Sequence, residues 1–394
     1  MVGARKGFVG AVGVGVLTLA ALTACRSPAP FYRTGTGGPG AAVVALGGPA
    51  PYVAGPPDRT ATAEPMERPL DVYAGTRGRL LGGRPYPPMV YVPNAGHATV
   101  DVIDQRTYQI VGRLWVGPRP RYVTPSWDGR TLWVSHSGGL TAIDPRNGRR
   151  GRRVPLADPR GLYFRPDGGA ALVLADGPPR VDFYDPALLR GLGSLRVPCS
   201  EPEHADFSAD GAQLVIGCPP SGELVRVDPV RRKVTGRLPL GAGSRPQQIR
   251  LSPDGRMFYV ADAAQGGVWL IDAARFRRAG FVPTGAGAHG LHPGRDGRLL
   301  YAAGRDDDSV TLIDFAARRV VGRWWLPPGA APQVVGMSAD GGTLWLSGRG
   351  AVHVVSTHTG HLLRTLWTGG AAPYGLAVYP QPGTRSLGPT GHTR

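Results

Sequence analysis

Leu251-Ser-Pro-Asp-Gly-Arg-Met-Phe-Tyr-Val260, followed by Gly267-Val-Trp-Leu-Ile-Asp272, reads as three short strands in succession. The first ends at Ser252, and Pro253-Asp254-Gly255 supplies a tight hairpin turn: Asp bonds to its own backbone and Gly takes a positive φ without a steric penalty. Met257 to Val260 is the second strand. A polar loop leads to the third, Gly267 to Ile271, which closes on Asp272.

The unit recurs along the chain. Asp-Gly turns fall at Gly129, Gly168, Gly211, Gly255, Gly297 and Gly341, spaced by 39, 43, 44, 42 and 44 residues. Third strands end at Asp104, Asp144, Asp185, Asp228, Asp272, Asp314 and, in the last copy, Ser356. A fourth strand follows each, as in Val111-Gly-Arg-Leu-Trp-Val116 and Val321-Gly-Arg-Trp-Trp-Leu326. Four short strands in about 40 to 45 residues make one propeller blade.

The ends of the chain set the count. Seven third strands are visible, yet the first is preceded only by a second strand, Met89-Val-Tyr-Val-Pro93, with no Asp-Gly turn. The last repeat runs on into Pro373-Tyr-Gly-Leu-Ala-Val-Tyr379, a lone inner strand. The expected fold is all-β: a seven-bladed β-propeller of four-stranded antiparallel blades, its closing blade shared between the N- and C-terminal segments. Closure removes the unpaired edge at the join.

Tyr91-Val-Pro-Asn94, Thr99-Val-Asp-Val-Ile-Asp104, Pro246-Gln-Gln-Ile249 and Ser252-Pro-Asp-Gly-Arg256 resemble the YVTN-type repeat of YncE-like and surface-layer β-propellers. The resemblance spans roughly residues 89 to 380, about seven blade lengths. It implies the fold and leaves function open, because such propellers host both binding proteins and enzymes.

Four segments are expected. Residues 1–24 read as a lipoprotein signal peptide: Arg5 and Lys6, the apolar run Phe8 to Ala21, then Leu22-Thr23-Ala24-Cys25, which resembles a bacterial lipobox. An ordinary signal peptide or a membrane anchor is the alternative, although the run is short and glycine-rich for a spanning helix. Residues 25–84 begin at a lipidated Cys25 and continue as a flexible Pro/Gly/Ala-rich tether, with Leu70 to Leu81 packing on the ring exterior. The propeller occupies 85–380, and 381–394 reads as a disordered polar tail. These features place the protein outside the cytoplasm, anchored to the cell membrane by lipid, as a monomer.

Besides Cys25 there are only Cys199 and Cys218. Both belong to one repeat, and in an up-and-down blade their positions share a ring face. In an oxidising compartment they form a disulfide; otherwise they are two buried thiols. The 19-residue loop would be worth roughly 3 kcal/mol in the chain-entropy description.

The net charge is +17, nearly all from arginine, since lysine occurs only at Lys6 and Lys233. Arg113, Arg196, Arg237, Arg323 and Arg364 fall on fourth strands, where charge blocks sheet-to-sheet association. The remaining charge suits an anionic small molecule or polymer, nucleic acid included.

Matched positions at the start of each inner strand carry Arg121, Arg160, Glu203, Gln247, His289 and Gln333, with Tyr374 on the closing strand. Tyr122, His204 and Gln248 stand beside them. Val123, Leu162, Ala205, Ile249, Leu291, Val335 and Leu376 then point into the core between blades. Varied residues at a repeated position describe either a ligand surface at the channel mouth or the solvated lining of any propeller channel. Glu203, His204 and His289 have the chemistry of a general base, and virginiamycin lyase-like and lactonase propellers react at such a mouth. No paired-histidine metal spacing accompanies them, and no metal or cofactor is expected. Asp306-Asp307-Asp308 has the carboxylate density of a Ca²⁺ loop without its glycine punctuation, so a solvated turn is expected there. No Cys-x-x-Cys-His haem motif, phosphate-binding loop or serine nucleophile elbow is present. The sequence thus favours a scaffold that binds a protein or an anionic ligand. A propeller lyase or lactonase and a polyanion binder are the alternatives.

Overall fold

The computed structural model describes residues 70–394 apart from 84–85 and 369–373. The expected signal peptide and Cys25 lie outside the described residues. Seven four-stranded antiparallel sheets form the ring. Their inner strands are Ala377–Tyr379, Val123–Pro125, Pro159–Phe164, His204–Phe207, Pro246–Leu251, Ala288–Pro293 and Val334–Met337, here called blades 1 to 7 in that order.

Blade 1 closes the ring as its end strands require. Ala377–Tyr379 pairs with Met89–Asn94 in the register Met89 to Tyr379, Val90 to Val378 and Tyr91 to Ala377. Val90, Val92, Leu376 and Val378 are sealed together with Trp345 and Val354 of blade 7. The circle is therefore fastened by main-chain hydrogen bonds and by a core that joins the two ends of the chain.

Side chains explain why the repeat needs its serine and aspartate. Ser252 Oγ donates to Asp254 Oδ1 at 2.5 Å and accepts Met257 N–H at 2.9 Å, while Gly255 adopts φ +70°. The same triangle holds at Ser126, Ser208 and Ser338. At the other hairpin, Asp272 Oδ1 accepts Arg275 N–H at 2.8 Å and holds the turn into the fourth strand. Inner strands are buried; outer strands such as Lys233–Pro239 alternate between exposed and half-buried residues. Several outer arginines pair with carboxylates of the adjoining third strand: Arg113 with Asp101 at 2.6 Å and Arg237 with Glu223 at 2.8 Å.

Cys199 and Cys218 are joined in a disulfide, with Cα atoms 6.1 Å apart, in the core between blades 3 and 4.

Leu70 to Leu81 packs across the ring face that carries the Asp-Gly turns. Val72 N–H donates to Pro253 O, Tyr73 Oη to Leu251 O at 2.7 Å, and Arg77 Nη2 to Asp296 O.

Residues 381–394 differ from the disordered tail expected of them. They turn back into the channel from that same face and form a small hairpin, Ser386–Gly388 with His392–Thr393. Leu387 is fully buried in the core of blades 3 and 4. The physical reason is long-range: a polar, glycine-rich segment with no hydrophobic period is ordered by the Arg394–Asp206 ion pair and by hydrogen bonds to residues far away in sequence.

Candidate functional site

The inner strands alternate, so Ala205 and Phe207 enter the core between blades while His204 and Asp206 face the channel. Blade 5 does the same: Ile249 and Leu251 go to the core, Gln248 and Arg250 to the channel. Polar residues therefore lie in layers along the channel axis.

The lower layer meets the C-terminal segment. Asp206, fully buried, accepts His392 Nε2 at 2.6 Å, Arg394 Nη2 at 3.0 Å and the N–H groups of Phe207 and Leu251. Arg250 donates to Thr390 O at 3.0 Å and to its Oγ1 at 2.8 Å. Gly391 lies so close to His292 that a Cβ there would meet Nε2 at 2.4 Å. Burial opposes the Asp206 charge, but His392 and the Arg394 and Arg250 guanidiniums outweigh it and hold the pKa at about 2. One end of the channel is thus filled by protein.

The upper layer remains a cup. Gln248 forms its floor, with Nε2 on Thr390 Oγ1 at 3.2 Å and Oε1 accepting Leu291 N–H at 2.9 Å. Above it, Tyr374 Oη donates to Glu203 Oε1 at 2.5 Å, and Tyr122 Oη reaches the same oxygen at 3.4 Å and His204 Nε2 at 3.5 Å. The Tyr122 ring stands edge-on to those of His204 and Tyr374, with centroids 5.8 and 5.5 Å away. His204 and His289 are 5.9 Å apart, and His289 Nδ1 donates to Gln333 O at 3.0 Å. The Arg121 guanidinium lies over the Tyr374 ring at 5.5 Å. Gly375 permits this closeness, because a Cβ there would meet Arg121 O at 2.6 Å.

Electrostatics separate the groups into roles. Burial pushes His204 down, and burial together with His204 and Arg305 takes His289 to about 4, so both imidazoles are neutral near pH 7. Burial works against the Glu203 carboxylate, yet His204, the Tyr374 hydroxyl, His289 and Arg121 overcome it and hold the pKa below the ordinary value. With the imidazoles neutral, the parts of that pull that persist near pH 7 are the hydroxyl and the guanidinium. Burial, then the nearby Glu203 charge, raises both tyrosines, which stay protonated donors. The cup therefore offers one buried negative charge, two hydroxyls and two imidazole acceptors.

Of the residues singled out by sequence position, Arg121, Tyr122, Glu203, His204, His289 and Tyr374 come together. Gln333 contributes its backbone carbonyl, and Gln247 turns to Arg245 O at 3.3 Å. Arg160 is occupied by Asp176 at 3.1 Å, with Asp158 and Glu201 at 3.9 Å. Sequence position missed Tyr163, whose hydroxyl lies 3.4 Å from Glu203 O and accepts Ala205 N–H, and also Thr390, His392 and Arg394. It missed a surface cavity of about 1030 Å³ beside the mouth, which Tyr374 and Gln333 share with Arg349 and Trp367. The Asp306–Asp308 carboxylates serve local structure: Asp308 accepts Gly329 and Ala331 N–H at 2.7 Å, and Asp307 accepts Ser309 Oγ at 2.7 Å. Among the described residues no three His, Cys, Asp or Glu side chains are grouped to hold a metal ion.

A family model described as a YNCE-like beta-propeller matches residues 85–379. No curated protein matches the sequence. Among solved structures, a functionally unknown protein from Desulfotomaculum acetoxidans DSM 771 aligns with TM-score 0.62 and 15% identity, over 74% of this chain and 98% of that one. Kuenenia stuttgartiensis hydrazine synthase gives 0.59 and 18%, over 79% and 99%. Dihydro-heme d1 dehydrogenase NirN in complex with DHE gives 0.56 and 17%, over 76% and 78%. At these identities the likeness concerns the fold alone.

Proposed function

The chain belongs to the YncE-like β-propeller family, and from that footing we propose that it is a binding propeller of the cell envelope. Lipid on Cys25 holds it to the membrane, and its ligand or partner docks at the channel mouth. One observation carries the reading: a channel filled at one end by Thr390, His392 and Arg394 leaves a single-ended cup with convergent polar groups at the other. The Cys199–Cys218 disulfide supports an oxidising compartment. The lipobox-like Leu22-Thr-Ala-Cys25 supports the anchor.

The test is capture from envelope membranes with the full chain as bait, comparing wild type with Tyr374→Phe and Glu203→Gln. Retention of a partner by the wild type and its loss from both variants supports the reading. Equal capture by all three moves the binding surface away from the mouth. A propeller enzyme is the second reading, favoured by the neutral His204 placed 3.5 Å from the Tyr122 hydroxyl, an acceptor beside a donor. Turnover lost in His204→Gln with ligand binding retained would distinguish it. Polyanion binding draws on the arginines; an affinity falling steeply with salt would identify it.

A further inference from the structure

The cup contains a carboxylate only half used. Glu203 is 7% exposed, and both tyrosine hydroxyls approach the same oxygen, Oε1. Oε2 takes no hydrogen bond among the described residues. Among the described residues no arginine lies within ion-pair distance of this carboxylate, whereas buried Asp206 and Glu223 each have one. Buried charges are ordinarily paired, because an unpaired one forfeits its hydration. Tyr122 and Tyr374 approach it through their hydroxyls, and the Tyr374 face already lies under a guanidinium, that of Arg121. The rim carries both signs, Arg305 and Arg349 with Asp306 and Asp308. Arg121 and Arg349 have no carboxylate partner among the described residues, and Arg121 is one tyrosine ring away from Glu203.

We propose that the cup binds a ligand carrying an ammonium group and an acidic group several bonds apart, the ammonium on Glu203 between Tyr122 and Tyr374 and the acid on Arg121. The inference rests on the mouth being the binding site and adds the chemistry of what enters it. The ammonium replaces the missing partner of Oε2, the alkyl stem lies along the Tyr374 ring, and the acid meets the free guanidinium at the rim. A simple anion would meet the Glu203 charge above the Gln248 floor. A simple amine would leave Arg121 unused.

Calorimetric titration of the full chain at pH 7 tests this with three probes: 6-aminohexanoate, hexanoate and hexylamine. The expected result is that 6-aminohexanoate binds about tenfold or more tighter than hexanoate, the worth of one charge-assisted hydrogen bond. Glu203→Gln should abolish the preference, bringing 6-aminohexanoate to the level of hexanoate while hexanoate itself binds no weaker, since the charge that opposed it is gone, and Glu203→Asp should restore part of the preference. Arg121→Gln should weaken both carboxylates and spare hexylamine; it tests the same geometry should Glu203→Gln not fold. Equal binding of 6-aminohexanoate and hexanoate, a preference that survives Glu203→Gln, or no saturable binding of any probe overturns the inference. Membrane capture lost from the mouth variants would still support the mouth as the binding surface, so the two failures are separable.

Discussion

His289 and His292 are buried imidazoles on one inner strand, and each is neutral because its surroundings penalise the proton. Burial lowers His289 to about 4, with His204 and Arg305 adding to the effect and Glu203 opposing it. Burial lowers His292 to about 3, with Arg295 and Arg250 adding. In the unfolded chain both titrate near 6.5. As pH falls from about 6.5 to 4 the unfolded state therefore takes up protons that the folded state refuses. The stability these residues contribute is complete above pH 6.5 and is lost on acidification through that window. Each accounts for roughly 2–3 kcal/mol by pH 4.5. Asp206, held at about 2 by His392, Arg394 and Arg250 against its own burial, loses its contribution only as pH falls through the ordinary carboxylate range and below, so the loss down to pH 4.5 belongs mainly to the histidines. Urea unfolding at pH 7 and pH 4.5 should show this fall, with a smaller one in His292→Gln. Equal stability at the two pH values would mean that these imidazoles are solvated.

At the scale of the element, the blades were legible because the repeat writes each hairpin locally. Ser252, Asp254 and Gly255 lie within four residues and determine their turn without help from the rest of the chain. The closing blade was legible for a different reason: a regular period left an orphan strand at each end, and pairing the orphans was the arrangement that left no open edge. The disulfide followed from placing Cys199 and Cys218 on one blade face. The hairpin Ser386–Gly388 with His392–Thr393 was not legible, because its partners Asp206, Arg250 and Trp127 are more than 130 residues away and nothing local specifies them. Nor did the sequence show that Arg160 is spent on three carboxylates while Arg121 is left over, which only the tertiary arrangement decides. Linking Cys199 to Cys218 closes a 19-residue separation. Replacing both by serine should lower unfolding free energy by roughly 3 kcal/mol. Denaturant unfolding of the oxidised wild type against the double variant measures it, and matching midpoints would show that the bond constrains nothing in the unfolded chain.

For the whole molecule, the question is what the C-terminal segment does for the ring, and removing Gln381 to Arg394 answers it. Read as sequence, this polar segment looks dispensable. In the structure Leu387 is part of the core between blades 3 and 4, and Leu80, Leu81 and Arg79 pair with Pro382, Gln381 and Gly383 across the Asp-Gly face. Deletion would leave Asp206 without His392 and Arg394, and Arg250 without Thr390, in the middle of the channel. Taking one partner from a buried ion pair costs about 3–5 kcal/mol, although water entering the opened channel would rehydrate part of the exposed charge. The strap over residues 79–83 would lose its main-chain partners at the same time. The expected outcome is a ring that still closes through Met89–Asn94 and Ala377–Tyr379 but melts well below the full chain, by roughly 10 °C at 2–4 °C for each kcal/mol. Asp206→Asn in the full chain should reproduce part of that fall, since an amide keeps the shape of the carboxylate and loses the charge that His392 and Arg394 address. Melting of the truncated chain at the full-length temperature would mean that the segment does not fill the channel in solution, and the single-ended cup would then be a through-channel.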